Sequence, residues 1–390
     1  MQIIPIASGK GGVGKSLLAA NLAIVLARAN RRVVLADLDL GGANLHLILG
    51  IRGVTAGIGS FITSSLLELE DVIRDTDYEN LRFIPGDGEI PGVANLTFAQ
   101  KRRLRGRLCR LEADVLILDL GAGTSFNVMD FFLLARRGIV VTTPTPTALV
   151  NAYLCIKNAL FRLLTTSIDR KSEAFLLLKD ILRDSQQIQR VYLPQMVARL
   201  ERVDPASIAR YRAACEAFRP RLVMNMLDDP ADAGKVTRLR QSCSSYLGLE
   251  LEHLGVMYRD KLQDVSLGSH LPIVVYKPDS VLSQAIQRIG DKLLESSRDD
   301  VDTTDWVDSE ASFASAGTEA QIDFEAKTDV VHELLHTGVL SHGDLLETVT
   351  SQQIEIRELR RQNDLLKAKI VKAARMGFDV GTGSWRTSEQ

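Results

Sequence analysis

A glycine-rich segment near the start of the chain, Ser8-Gly9-Lys10-Gly11-Gly12-Val13-Gly14-Lys15-Ser16, constrains the fold more than any other feature. It follows an apolar run, Ile3–Ala7, and precedes the helical pattern of Leu17–Ala23. The spacing G-x-x-x-x-G-K-S between a strand and a helix predicts a phosphate-binding loop. Its glycines let backbone N–H groups surround an anion, and the helix N-terminus adds positive potential. We therefore predict a nucleoside triphosphate site in which Lys15 contacts the outer phosphates and the Ser16 hydroxyl binds Mg²⁺.

Short apolar runs alternate with amphipathic segments along most of the chain. The runs rich in β-branched residues are Ile3–Ala7, Val33–Asp37, Leu81–Pro85, Val115–Asp119, Gly138–Thr143, Arg221–Met226 and Leu251–Val256. This pattern is typical of strands buried on both faces of a parallel sheet. We predict an α/β fold with one doubly wound, mostly parallel sheet over residues 1–296. A helical insertion is expected at about 165–219.

Lys10 places a second lysine directly after the first glycine, and the resulting string resembles the deviant phosphate-binding loop of the MinD/ParA family of ATPases. In that family the extra lysine reaches phosphates held by the other subunit. The resemblance implies an ATP-sandwiched homodimer in which Lys10 and Lys15 both act on the phosphates, with ATP and Mg²⁺ as cofactors. It also implies nucleotide contacts along the loop from Gly9, Lys10, Gly11, Gly12, Val13, Gly14, Lys15, Ser16 and Leu17.

Two aspartates follow strands in the order that the family pattern has. In Asp37-Leu38-Asp39 the resemblance makes Asp39 the residue that positions or activates the attacking water. Asp119, at the end of Val115–Asp119, would hold Mg²⁺ through water, so that Ser16, Asp39 and Asp119 form the predicted metal site. The local alternatives are that Asp39 only bonds nearby backbone and that Asp119 only caps a helix.

Three further positions match nucleotide contacts of the family. Asn44 corresponds to the asparagine that contacts the deviant lysine, with capping of the next turn as its alternative. Gly123 would let the loop after its strand approach the γ-phosphate. Asn225, at a strand end, corresponds to the residue that reads the adenine edge. Tyr258 stands where relatives usually carry a proline in the wall of the base pocket, and the sequence has no N-K-x-D guanine motif.

Asp119–Ser125 and Thr142–Thr147 look like the flagellar-placement branch of the family, FlhG (also called FleN or YlxH). This likeness implies a dimerisation switch that regulates the number or placement of an assembly such as the flagellum. The alternative is a ParA-like ATPase that partitions DNA or cargo, with the basic segment Lys101–Arg107 as its DNA-binding surface. An iron–sulfur carrier is disfavoured because the cysteines include no C-x-x-C pair.

The C-terminal part of the chain has a different composition. Residues 297–328 are rich in acidic and small residues, which predicts a disordered linker. A heptad pattern over 329–376, with Asn363 in its apolar seam, predicts a short coiled coil, and a single amphipathic helix is the alternative. Residues 377–390 are predicted to be disordered. His332-Glu333-Leu334-Leu335-His336 is a literal H-E-x-x-H, so a metal site or a metalloprotease is a remote alternative.

Composition and hydropathy limit location and partners. No apolar stretch approaches the ~20 residues that span a bilayer, and the N-terminus lacks a basic-then-apolar secretion signal. We expect a cytoplasmic protein, with peripheral binding at the inner face of the membrane or at a pole as alternatives. The net charge of −2 argues against a general polyanion-coating protein. Expected partners are a second copy of the chain on ATP binding and proteins that contact the insertion and the coiled coil, including flagellar or polar-placement machinery. DNA, and weak or partner-mediated membrane association, are secondary.

Overall fold

The computed structural model describes residues 1–86, 96–183, 192–299, 309–336, 361, 378–379 and 384–385. The chain divides into two compact units, Met1–Glu325 and Ala326–Gln390. The strands are β1 Gln2–Ser8, β2 Val33–Leu38, β3 Arg74–Asp75, β4 Leu81–Ile84, β5 Val115–Ala122, β6 Ile139–Thr142, β7 Arg221–Leu227, β8 Glu252–Tyr258, β9 Phe378–Asp379 and β10 Ser384–Trp385.

The α-helices are α1 Lys15–Arg28, α2 Leu45–Ile48, α3 Ile58–Thr63, α4 Phe98–Leu108, α5 Phe126–Phe132, α6 Pro146–Ser167, α7 Glu173–Arg183, α8 Leu193–Glu201, α9 Pro205–Ala217, α10 Gly234–Leu247, α11 Leu262–Gly268, α12 Ile273–Tyr276, α13 Val281–Asp299 and α14 Ser309–His336. Two short 3₁₀ helices cover Glu70–Val72 and Pro230–Ala233.

The first unit is built on a sheet with the strand order β3-β4-β2-β5-β1-β6-β7-β8. All neighbouring strands are parallel except β3, which pairs antiparallel with β4 at one edge. The predicted α/β fold with a mostly parallel sheet is confirmed. Strand β3 was not predicted, because two residues are too few to carry a hydropathy pattern.

Each face of the sheet carries its own hydrophobic core. Along β2, Val33 and Leu35 belong to the core that contains α1, α12 and α13, whereas Val34 and Ala36 belong to the core that contains α4, α5, α6 and α10. Successive strand side chains point to opposite faces, so a strand buried on both sides shows a continuous apolar run. The fold therefore places helices on both faces and leaves the carboxyl ends of the strands at one edge, where α/β proteins bind ligands.

Helices α7, α8 and α9 lie between β6 and β7, in the region predicted as a helical insertion. In α8 the buried residues are Leu193, Met196, Val197 and Leu200, which follow the spacing of one helix face. Helix α9 begins after Asp204, whose side chain accepts a hydrogen bond from the Ser207 N–H at 3.0 Å. The insertion is joined to the core around α6 rather than forming a separate layer.

The structure differs from the prediction of a disordered acidic linker, because α14 begins at Ser309. Phe313, Ala316 and Ala320 recur at helical spacing and are buried in the core that also contains β8. Acidic residues of the segment pair with cations of α13, so their charge does not prevent packing. The compact unit therefore ends at Glu325 instead of residue 296. Composition alone missed this because the partners of the acidic residues lie elsewhere in the sequence.

The predicted coiled coil lies almost entirely outside the described residues. His332–His336 falls within α14, but the side chains of this segment lie outside the described part of the chain. The prediction that 377–390 is disordered is wrong for the four described residues there, because β9 and β10 pair antiparallel through Phe378 and Trp385. Among the described residues no helix combines the length and the apolar character needed to cross a membrane.

Candidate functional site

The loop between β1 and α1 holds a conformation that requires glycine at both of its ends. At Gly9 a Cβ atom would lie 2.0 Å from the backbone oxygen of Asn151 in α6, so α6 seats the loop. Gly14 has a φ of 87°, in the left-handed region, and a Cβ atom there would lie 2.1 Å from Nδ2 of Asn225. The loop is thus fixed between two neighbouring elements, with α1 beginning directly after it at Lys15.

Lys15 forms an ion pair with Asp119 at the base of this loop. The ammonium Nζ donates to Asp119 Oδ1, and both side chains are almost fully buried. Lys15 Nζ also lies 3.4 Å from Ser16 Oγ. Burial raises the pKa of Asp119, and the charge of Lys15 opposes that shift. The pair joins the start of α1 to the end of β5, as expected if both residues serve one phosphate and metal site.

The oxygen atoms at this position fit Mg²⁺. Asp119 Oδ2 is buried and has no hydrogen-bond partner among the described residues, and the Ser16 hydroxyl lies beside the same ion pair. Hard oxygen ligands suit Mg²⁺, which keeps several waters and binds through one or two protein groups plus phosphate. The described part of the chain contains no cluster of three or more His, Cys, Asp or Glu side chains that could hold a metal. A buried carboxylate oxygen beside a hydroxyl fits Mg²⁺ that is bound together with phosphate.

Asp37 organises the loop after β2, a role that the sequence analysis missed. Its Oδ1 accepts from the Asp39 N–H at 3.1 Å and its Oδ2 accepts from the Leu45 N–H at 3.3 Å. Burial and then the charge of Asp119 raise the pKa of Asp37 to about 7. The D-x-D spacing at a strand end could have predicted this role. The first aspartate is still in the strand and faces the interior, whereas the second follows the strand. Asp37 thus sets the backbone position of Asp39.

Asp39 itself lies beside a small cavity of about 180 Å³. The cavity is lined in part by Asp39, Gly121 and Ser125. A Cβ atom at Gly121 would lie 3.2 Å from Asp39 Oδ1, so glycine keeps the strand end close to the carboxylate. Asp39 is half-buried. It therefore combines a fixed backbone with access to water, which a water-positioning carboxylate needs.

The remaining positions predicted near the phosphates lie along the same edge of the sheet. Lys10 has an exposed side chain, and its carbonyl accepts from Ser8 Oγ at 2.9 Å. Asn44 precedes α2, is exposed and makes no side-chain capping bond, so the capping alternative lacks its defining contact. The Gly123 N–H donates to the Ser8 carbonyl at 2.9 Å, which ties the loop after β5 to the end of β1. The Lys10 and Asn44 side chains are thus accessible to a partner molecule.

Asn225 contacts the phosphate loop directly. Its Nδ2 donates to the Val13 carbonyl at 2.9 Å, and its Oδ1 accepts from the Met226 N–H at 2.8 Å. Met226 has a φ of 59°, an uncommon value for a residue with a side chain. The amide keeps one more N–H and one more lone pair, so adenine reading stays a prediction. The structure adds a second role, since Asn225 links the end of β7 to the loop.

Several basic side chains of helix α4 contact other groups of the protein itself. The Arg103 guanidinium donates to the carbonyls of Phe61, Ser64 and Leu67 at 2.7 to 3.1 Å. It also lies over the Phe61 ring, with its carbon 4.2 Å from the ring centroid. Further along α4, ion pairs join Lys101 to Asp130 and Arg107 to Glu68. This helix therefore offers a weaker DNA-binding surface than its sequence predicts, with Arg102 and Arg105 as the exposed cations.

Comparisons with known proteins identify the family of this domain. The sequence pattern of the CobQ/CobB/MinD/ParA nucleotide binding domain matches residues 4–321. Antiactivator FleN of Pseudomonas aeruginosa is 32% identical over 159 residues, which is 40% of this chain and 56% of FleN. Flagellum site-determining protein YlxH of Helicobacter pylori is 34% identical over 163 residues, 40% of this chain and 53% of YlxH. The chain thus spans about half the length of the curated relatives it matches.

A solved structure has the same fold. The septum site-determining protein MinD of Pyrococcus horikoshii, complexed with Mg-ADP, aligns with a TM-score of 0.52 and 20% identity over 77% of this chain and 99% of that protein. Because the identity is low, this likeness concerns the fold. Since the family pattern covers most of the sequence and the loop has the geometry described above, the chain belongs to the CobQ/CobB/MinD/ParA nucleotide-binding domain family.

Proposed function

We propose that this chain is an ATP-binding and ATP-hydrolysing switch that dimerises when ATP is bound. The observation that carries the proposal is the buried Lys15–Asp119 ion pair at the base of the glycine loop. A lysine held on a carboxylate at this position is poised to exchange that partner for phosphate when a nucleotide enters. The exposed Lys10 on the same loop then supplies a cation for phosphates held by a second copy.

The chemistry follows from where the charges lie. Backbone N–H groups of the loop and the N-terminus of α1 bind the phosphates, and Lys15 neutralises their outer oxygens. Ser16, Asp39 and Asp119 would hold Mg²⁺, Asp119 through water, and the metal would supply charge neutralisation at the β- and γ-phosphates. Asp39, positioned by Asp37, orients the attacking water. Phosphoryl transfer needs little beyond such positioning and charge compensation.

The biological output that we favour is control of the number or placement of a flagellum. The support is the likeness to an antiactivator, FleN, and to a flagellum site-determining protein, YlxH, both confined to about 40% of this chain. Partitioning of DNA or cargo is the second candidate. It is less favoured because Arg103, Lys101 and Arg107 of the basic helix are engaged within the protein.

Light scattering on the full chain tests the switch. With Mg-ADP we expect one mass, and with Mg-ATP in the Asp39→Ala variant we expect twice that mass. Lys10→Ala in the Asp39→Ala background is expected to keep the lower mass while still binding nucleotide. Arg102→Ala in the same background is the matched control, because it removes an exposed cation away from the loop. A mass that does not depend on ATP, with nucleotide bound, would refute the switch.

A further inference from the structure

Helix α14 packs against β8, the edge strand of the sheet. Strand β8 ends the sheet order, so among the described strands it has a neighbour on one side only. Phe313, Ala316 and Ala320 of α14 are buried in the core that includes the β8 residues Val256 and Tyr258. The ring centroids of Phe313 and His253 lie 5.7 Å apart. A helix beside an edge strand protects that strand from pairing with other chains. Helix α14 also makes ion pairs and a hydrogen bond that such protection does not require.

Two ion pairs hold α14 on α13. Lys292 Nζ lies 2.5 Å from Glu319 Oε1, and the Arg288 guanidinium lies 2.5 Å from Asp323 Oδ2. Asp323 is almost fully buried, whereas the two basic side chains are about one-third exposed. The two cations are four residues apart on one face of α13, as are the two acids on α14, so the helices match in charge and spacing.

The opposite face of α13 contacts the helix that begins at the phosphate loop. A Cβ atom at Gly290, between the two cations in sequence, would lie 2.5 Å from Cγ1 of Val25 in α1. Helix α13 is therefore packed tightly against α1, which starts with Lys15. This packing places α13 between α14 and the helix that carries the phosphate-binding lysine.

A second series of contacts reaches the loop through β7 and β8. The Tyr258 hydroxyl donates to the Ala320 carbonyl at 2.8 Å, and Tyr258 pairs in register with Leu227 of β7. Two residues before Leu227, Asn225 holds the Val13 carbonyl of the loop. Between them lies Met226, in its left-handed backbone conformation. A displacement of Asn225 would therefore move the end of β7. This strand end pairs with Tyr258 of β8, whose hydroxyl donates to α14.

We propose that α14 is a nucleotide-responsive strap. Nucleotide in the loop tightens the docking of 309–325 on β8 and α13, and docking in turn strengthens nucleotide binding, because coupling between two sites is reciprocal. The inference rests on the proposed function only in taking the loop as a nucleotide site.

Hydrogen exchange of the full chain tests the strap, with ADP and Mg²⁺ as the probe and calorimetric titration of ADP in parallel. We expect amides of 309–325 to exchange about fivefold or more slowly with Mg-ADP, the lower end of usual coupling. Tyr258→Phe removes only the hydroxyl, and should shrink that effect. Glu319→Gln with Asp323→Asn removes both ion pairs, and should speed exchange and weaken ADP binding by a similar factor. Thr318→Ala, on the exposed side of α14, is the matched control.

The outcomes separate the two proposals. ADP binding with unchanged exchange of 309–325 would overturn the strap and leave the nucleotide site intact. Unaltered ADP affinity in the Glu319→Gln/Asp323→Asn variant, with exchange accelerated, would also overturn it, because docking would then carry no coupling. Absence of any ADP binding by the folded chain would overturn the proposed function and the strap together.

Discussion

Asp37 and Asp119 occupy paired positions on the neighbouring parallel strands β2 and β5, and both carboxylates are buried. Two buried acids at adjacent strand ends repel each other when both are ionised. Lys15 forms its ion pair with Asp119, and two backbone N–H groups hydrogen-bond Asp37. The folded site therefore needs Lys15 to neutralise Asp119 even when no nucleotide is bound.

Replacing Lys15 with methionine is expected to destabilise the nucleotide-free protein at pH 8 by about 3 kcal/mol, because it leaves a buried charge without its partner. Urea unfolding measures the loss. Lys10→Met, which removes an exposed lysine from the same loop, should leave the midpoint unchanged. Equal effects of the two substitutions would contradict the structural role of the Lys15 ion pair.

Gly9→Ala is expected to disrupt the packing of the loop against α6, since the added Cβ would lie 2.0 Å from the Asn151 carbonyl oxygen. Gly11→Ala is the matched control, because among the described residues a Cβ there meets only Ala122, at 3.9 Å. Thermal unfolding without nucleotide should show a loss of about 2 kcal/mol or more for Gly9→Ala and little change for Gly11→Ala. Similar melting curves for both variants would contradict this packing.

Arg103→Ala is expected to cost about 2 kcal/mol of stability, since hydrogen bonds to a charged group contribute more than neutral ones. Arg105→Ala, on the exposed side of α4, should be neutral. Chemical unfolding of both variants distinguishes a structural arginine from a surface one. If Arg103→Ala leaves stability unchanged but abolishes retention on duplex DNA, the basic helix is a DNA-binding surface after all.

His253 makes stability depend on pH. Burial, with a smaller effect from Lys292, lowers the pKa of His253 to about 4, although Glu319 opposes the shift. The unfolded chain binds a proton near pH 6.5 that the folded chain does not, so stability falls as the pH drops from about 6.5 to about 4. The full contribution is about 3 kcal/mol.

Unfolding of the wild type and His253→Gln between pH 7 and pH 4.5 measures this contribution. We expect the wild type to lose more stability than the variant over that interval, because only the wild type carries the titrating imidazole. Parallel pH profiles for the two proteins would show that His253 is protonated equally well in the folded state.

Local patterns predicted much of the fold. The β-branched runs predicted each parallel strand of the sheet, because a strand buried on both faces must be apolar along its whole length. The G-x-x-x-x-G-K-S spacing predicted a loop between β1 and α1 whose end glycines the structure requires. The order of Asp39, Asp119 and Asn225 at strand ends placed all three at one edge of the sheet, because parallel strands end together.

Long-range contacts decided the rest. The sequence of α4 predicts a DNA-binding surface, whereas the structure brings three carbonyl groups of a distant segment to Arg103. The composition of the acidic segment predicts disorder, because Arg288 and Lys292, which pair with its acids, lie outside the segment. The family resemblance places Asn225 at the adenine base, and the structure adds a hydrogen bond from its Nδ2 to the Val13 carbonyl.

Local sequence thus predicts the α/β class, the strand positions and the phosphate loop, because backbone preferences and hydrophobic periodicity depend on neighbouring residues. Contacts between residues that are distant in sequence neutralise the charges of Lys15 and Asp323 and hydrogen-bond the Arg103 guanidinium, and no local pattern predicts those contacts. The electrostatic free energy of a charge depends on the groups that surround it in space.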